Sequence, residues 1–150
     1  MSLTADIKGI GMAGDGAYAV VIEAGGRYLP IMITGDQARS IQVALSDEHF
    51  ERPLTHDLVL TMVNEMGGAL DRISIDDLMD GTFYAKIRVE RYADGEREEF
   101  TFDARPSDAI ALSVRTECGI EVDEELMEEA GRSEDEIEFR DISGAGDPDL

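Results

Sequence analysis

Three short stretches gather the side chains able to do chemistry. Asp103, Ala104, Arg105, Pro106, Ser107 and Asp108 place two carboxylates, a guanidinium and a hydroxyl where a strand gives way to a helix. Arg52, Pro53, Leu54, Thr55, His56 and Asp57 form a second polar knot ahead of an apolar helix. Asp76, Asp77 and Asp80, followed by Gly81, Thr82, Phe83 and Tyr84, form a third. His56, beside Asp57, has an unperturbed pKa suited to giving and taking protons near neutrality. Arg52 and Arg105 offer a planar fork of donors that fits a phosphate. The acids are oxygen donors of the kind that hold Mg²⁺, together with waters and a substrate phosphate.

The elements that must position these groups follow from periodicity and turn chemistry. Residues 5–10 and 18–23 read as strands around Gly14, Asp15 and Gly16, and Gly25-Gly26 turns the chain into a third strand over 27–33. Pro30 predicts an edge position or a bulge there. Ala38, Ile41, Val43, Ala44 and Leu45 follow helical spacing. A second helix over 55–65 carries Leu58, Val59, Met62, Val63 and Met66 and stops at Gly67 and Gly68. Strands follow over 70–76, 82–91 and 98–102, the last two joined by Asp94-Gly95. Pro106 fixes φ for a first helical turn and disfavours helix at Arg105, so a third helix opens near Ser107 and runs to 117. A short acidic helix over 123–130 closes the domain.

Asp15, Gly16, Ala17, Tyr18 and the elements after it are echoed by Asp80, Gly81, Thr82, Phe83, Tyr84 and theirs. The expectation is an α+β fold: two copies of an antiparallel-strand unit followed by a helix, rolled into one domain over residues 1–131. Residues 132–150 form an acidic tail, expected to be disordered for most of 133–150.

The three knots, in this order, resemble the bifunctional nuclease domain family. The resemblance extends to Leu29, Pro30, Ile31, Gln37, Ala38 and Ile41, covering roughly residues 3 to 131. It implies kinship with proteins named for degrading both RNA and DNA, and thus metal-assisted phosphodiester hydrolysis. On that reading His56, Asp57, Asp77, Asp80, Asp103 and Asp108 are the catalytic candidates. Arg52, Arg105 and Ser107 bind substrate, and Asp77, Asp80, Asp103 and Asp108 are candidate ligands for Mg²⁺ or Mn²⁺.

The residues also admit structural readings. Arg52, Thr55 and Asp57 can satisfy a helix entry, Asp80-Gly81 can be a turn, and Phe83 and Tyr84 can fill a sheet. Asp103 and Arg105 project to one side of an extended segment and can lock a strand. Asp76 and Asp77, adjacent on a strand, point to opposite faces unless the strand has ended. The alternative function is therefore a non-catalytic binding or regulatory module with structural polar motifs. A small-molecule pocket between the two repeats is a third reading.

Composition sets the surroundings. The 150-residue chain is 43% hydrophobic, enough for one core without disulfide or metal staples. It has no long apolar run and no signal-peptide pattern, so a cytoplasmic protein without a membrane partner is expected. Cys118, beside Gly119 at a helix end, is expected to be a buried, inert thiol. His49 is expected to face solvent in an acidic loop. The net charge is −21, of which residues 133–150 supply −6. Self-repulsion of this size opposes a compact state in dilute buffer, but at molar salt the Debye length is about 3 Å. With only two lysines, Lys8 and Lys86, the pattern fits a salt-rich cytoplasm. The same charge disfavours nucleic acid, whose affinity rests on lysine and arginine displacing counterions. Exposed apolar edges point to a homo-oligomer, a dimer or higher.

Overall fold

Two-residue turns fold much of the chain into hairpins. Gly25-Gly26, Asp80-Gly81 and Asp94-Gly95 all have positive φ, between 52° and 80°, the backbone sense that matches the twist of the flanking strands. Asp80 is thereby committed to a turn. The computed structural model describes residues 1–46, 50–137 and 140–141; His49 lies outside them.

The first unit comprises β1 (Ser2–Met12), β2 (Tyr18–Ala24), β3 (Arg27–Ile33) and α1 (Gly35–Leu45). After α2 (Thr55–Glu65), the second comprises β4 (Gly68–Met79), β5 (Thr82–Ala93), β6 (Glu96–Ala104) and α3 (Pro106–Thr116). Then come β7 (Gly119–Asp123), α4 (Glu124–Ala130), a 3-10 turn at Glu134–Glu136, and β8 (Arg140–Asp141). The strands form one mixed sheet in the order β3-β2-β1-β7-β4-β5-β6, with β8 on β1. The expected α+β fold, with its two antiparallel units each leading to a helix, is the observed one. Pro30 falls on β3, at the sheet edge, where its missing N–H costs no ladder bond.

The sequence reading passes over β7, five residues that join the two units. β7 pairs antiparallel with β1 and parallel with β4. Its Ile120 and Val122 alternate with polar residues over too short a run to outweigh its neighbours.

Strand register sorts the side chains onto two faces. Ile73 and Ile75 of β4 sit opposite Ile87 and Ala85 of β5, which in turn face Phe102 and Ala104 of β6. This apolar face meets Ala109, Ile110 and Ala111 of α3 and Ala38 and Ile41 of α1 in the core. The other face of the same strands carries Ser74, Lys86 and Asp103. α3 is buried along Pro106, Ser107 and Ala109 to Ser113, so it is the central helix, packed by α1 and α2. No residue of α2 is buried: Leu58, Val59, Met62 and Met66 leave an apolar stripe exposed.

The folded structure continues past residue 131. Arg132 and Tyr28 exchange backbone hydrogen bonds of 2.7 and 2.8 Å, and β8 pairs with Gly11 and Met12. Within the stretch expected to be mostly disordered, the described residues include a 3-10 turn at Glu134–Glu136 and the Arg140–Asp141 pair on β1, where the strand edge offers unpaired backbone groups that a chain of any polarity satisfies; residues 138–139 lie outside the described residues. Residues 142–150 lie outside the described residues.

Candidate functional site

Three helix faces meet in one polar network. Thr34 caps α1 in a reciprocal box, accepting from the Gln37 N–H at 3.3 Å while the Gln37 side chain accepts from the Thr34 N–H at 2.8 Å. One turn further on, Ser40 faces α2. At the start of α2, Asp57 accepts from the Leu54 N–H at 2.9 Å, which fixes His56 in the first turn. α3 brings Asp108 and Arg115, seven residues and two turns apart on one side.

These groups form two rungs. In the first, His56 Nδ1 lies 2.8 Å from Ser40 Oγ and His56 Nε2 lies 2.9 Å from Asp108 Oδ1. Arg105 Nε donates to the other Asp108 oxygen at 2.8 Å. In the second, Arg115 Nε donates to Asp57 Oδ1 at 2.9 Å, and its terminal nitrogens donate to the carbonyls of Ala111 (2.9 Å) and Ser40 (3.3 Å). Ser40 thus belongs to both rungs, through its hydroxyl and its carbonyl. The Arg115 side chain is 7% exposed and that of His56 is 17% exposed.

Ionisation fixes the proton positions. Burial pushes the Asp108 carboxyl up, but hydrogen bonds from Arg105 and His56 override that and hold it below the ordinary aspartate value of 3.8. An ionised carboxylate only accepts, so Nε2 carries the proton toward Asp108. In the neutral ring Nδ1 is then the acceptor, and the Ser40 hydroxyl donates to it. Asp57 behaves likewise: burial raises it, and the Leu54 N–H and Arg115 more than offset the rise. Because both folded-state values are lowered, the unfolded chain binds more protons over the range between those values and 3.8. The stability these carboxylates contribute is present above that pH and is lost as pH falls through their folded values. An Asp108→Asn variant should therefore be less stable than wild type in urea at about pH 6 and should approach wild-type stability as the pH is lowered through the folded-state value of Asp108. A gap that stays constant with pH would contradict this ionisation pattern.

The other candidates are divided between places. Asp76 and Asp77 both lie on the polar sheet face, because a β-bulge between Ile75 and Asp77 lets two successive residues share a side. Alternation alone predicts opposite faces. Asp76 bonds Lys86 Nζ at 3.0 Å, and Asp103 stands opposite Lys86 on β6. The Asp76 hydrogen bond, with Asp103 and Asp77 nearby, raises the Lys86 pKa, so this ammonium sits where a cation among the three acids would. Asp77 also accepts from the Leu78 N–H. Asp103 is therefore on the opposite sheet face from Asp108, and Asp80 is in its turn. Among the described residues no group of three His, Cys, Asp or Glu could hold a metal ion, and the donor set named for Mg²⁺ or Mn²⁺ is split accordingly.

Ser107 is 4% exposed, with its hydroxyl out of solvent's reach, so it is not placed to meet a substrate. Arg52 is exposed on the approach to α2. Asp103 does not pair with Arg105, whose partner is Asp108. The sequence reading missed Ser40 and Arg115. The seven-residue spacing of Asp108 and Arg115 on a helix was the available signal for Arg115; nothing local marks Ser40.

A groove of about 990 Å³ opens beside the second rung, where the two repeats meet. Thr4 to Ile7 and Val43 to Leu45 line it from the first unit, Ser113 to Thr116 from the second, and Asp57 and Leu60 from α2. Cys118 is half-buried in its wall, not fully buried as expected, since β7 begins before the strand enters the core. Asp6, Asp57 and Glu117 make this groove unfavourable for a phosphate.

The bifunctional nuclease domain profile matches residues 20–135. An uncharacterized protein of Mycobacterium tuberculosis is 36% identical over 107 residues, 71% of this chain and 61% of its own length. Bifunctional nuclease 2 of Oryza sativa subsp. japonica is 30% identical over 111 residues, 73% of this chain and 34% of its own. Bifunctional nuclease 2 of Arabidopsis thaliana is 27% identical over 101 residues, 67% of this chain and 30% of its own. The chain thus spans less than two thirds of the length of these relatives. The match leaves out β1 but covers most of β2, all of β3, the second strand unit, the three polar knots and every helix of the network, and the chain belongs to the bifunctional nuclease domain family.

Proposed function

We propose that the domain hydrolyses phosphodiesters of RNA or DNA at the Ser40–His56–Asp108 rung. The observation that supports this is a half-buried imidazole bridging a hydroxyl and a carboxylate, in a chain of this family. His56 Nδ1 takes a proton from the attacking oxygen and returns it to the leaving oxygen, while Asp108 holds Nε2 and stabilises the imidazolium between the two transfers. Arg105, 68% exposed, uses Nε on Asp108 and has terminal nitrogens for a phosphate oxygen. The test is cleavage of RNA and single-stranded DNA in molar potassium chloride, with Mg²⁺, with Mn²⁺ and with chelator. Because the acids named as metal ligands are divided between the polar sheet face, a turn and α3, and none but Asp108 lies at this rung, cleavage should persist in chelator; its loss there would give a divalent ion a part in the reaction. No cleavage under any of these conditions would defeat the proposal.

The second reading is a non-catalytic module. It draws on the Arg115 rung, where the bonds to Asp57, Ala111 and Ser40 tie one helix to another or to its own backbone. It expects no turnover from wild type.

The setting we infer is a salt-rich cytoplasm, from the charge of −21. No helix among the described residues is long and apolar enough to cross a membrane. Self-association follows from the exposed stripe of Leu58, Val59, Met62 and Met66, which a second copy covers once salt screens the acidic surfaces. Raising potassium chloride from about 0.1 M to molar levels, where the Debye length shrinks to about 3 Å, should raise the melting temperature and shift sedimentation to a dimer. Met62→Glu should remove the dimer and keep the melting shift. A melting temperature unmoved by salt would refute the salt adaptation, and a monomer at molar salt would refute the contact.

A further inference from the structure

We propose that Ser40 is a base-activated nucleophile whose Oγ attacks phosphorus and passes through a phosphoseryl intermediate. For its natural substrate the proposal rests on the hydrolase reading above; its chemistry is testable without nucleic acid. One ring joins Ser40 Oγ (2.8 Å to Nδ1) to Asp108 Oδ1 (2.9 Å to Nε2). A hydroxyl at one nitrogen and an ionised carboxylate at the other is the arrangement that activates a serine, because the carboxylate stabilises the imidazolium formed when the ring takes the hydroxyl proton. Either ring nitrogen can serve as the base.

Locking the helices does not account for this rung. Arg115 already ties α3 to α1 through the Ser40 carbonyl and to α2 through Asp57. That same bond holds the Ser40 backbone still, so the hydroxyl meets Nδ1 at a fixed distance. Preorganisation of this kind favours attack over random collision.

The steps balance. Ser40 Oγ forms a bond to phosphorus as its proton moves to His56 Nδ1. The bond from phosphorus to the ester oxygen breaks, and that oxygen leaves with the proton from Nδ1. Water then attacks phosphorus, giving a proton to Nδ1; the bond to Oγ breaks and Ser40 recovers the proton. Arg105 faces the negative charge that develops on the phosphoryl oxygens. Two in-line displacements give overall retention at phosphorus, whereas direct attack by water inverts it.

The probe is diisopropyl fluorophosphate, with the adduct located by peptide mass spectrometry. Attack by Oγ expels fluoride and leaves the diisopropylphosphoryl group on Ser40. The expected result is one adduct, on Ser40, forming at least about 100-fold more slowly in His56→Gln. Absence of an adduct on Ser40, or labelling at an unchanged rate in His56→Gln, overturns the proposal. Circular dichroism of each variant confirms that a lost adduct is not a lost fold. Nucleic-acid cleavage separates the two readings. If Ser40→Ala cleaves as well as wild type, the nucleophile proposal falls and hydrolysis stands, with water attacking. If Ser40 labels and wild type cleaves no nucleic acid, the nucleophile stands and the nuclease reading falls.

Discussion

Replacing His56 by alanine should lower cleavage by about 10² to 10⁴-fold, the usual worth of a positioned general base. The ring is the sole titratable contact of Ser40 Oγ among the described residues, and it accounts for one of the two partners of Asp108. Its removal leaves Asp108 paired with Arg105, so the variant should fold. Asp108→Asn makes the argument sharper. An asparagine can turn its amide N–H toward Nε2, which forces the ring proton onto Nδ1, where it faces Ser40 and cannot accept the hydroxyl proton. The rate should then fall about as far as in His56→Ala, by up to about 10⁴-fold, with the helix contacts intact. Asp103→Asn, on the opposite sheet face, should keep activity within about threefold, as suits a surface change away from a reacting group. Equal residual activity in wild type and His56→Ala would identify a contaminant as the source and remove the ring from the reaction.

Much of this arrangement is legible in the chain because it is local. The Asp-Gly and Gly-Gly turns, the Pro106 helix start and the apolar spacing of α1 and α3 depend on neighbours a few residues away, and each is where its chemistry puts it. The polar knots at His56 and Asp108 were legible as places, since side chains crowded at two helix entries must find partners. What joins them was not. The bond between His56 and Asp108 crosses 52 residues, and its geometry is set by how α2 lies on α3. Ser40 carries no mark at all: a serine inside an amphipathic helix looks like any solvent-side polar residue until another helix covers it. The bulge at Asp76 shows the converse. Strict alternation sends Asp76 and Asp77 apart, and one extra residue in the ladder brings them together around Lys86, which removes both from the helix side. The acids named for a metal are divided between places for this reason, since spacing along the chain does not show which sheet face each takes.

Arg115→Ala should cost about 3 kcal/mol of folding stability, more than any other single change in the network. Its guanidinium is 7% exposed and serves three acceptors: Asp57 on α2, the Ser40 carbonyl on α1 and the Ala111 carbonyl on its own helix. Truncation leaves these groups without their donor and opens a void beside the groove, and neither loss is recovered by Asp57 turning to solvent. Lysine keeps the charge but has no fork, so it can reach one acceptor at a time; Arg115→Lys should lose about half as much. Arg105→Ala is the contrast, because its pair with Asp108 is 68% exposed on the arginine side and should be worth under about 1 kcal/mol. Urea titration of the three variants in molar potassium chloride reads these differences directly. Activity adds a second discriminator: since Arg115 holds the Ser40 backbone, Arg115→Lys should lower the turnover rate with little change in KM, whereas Arg105→Ala, at the phosphate, should raise KM. An Arg115→Ala protein as stable as Arg105→Ala would mean that the second rung bears no weight, and that Ser40 owes its place to α1 alone.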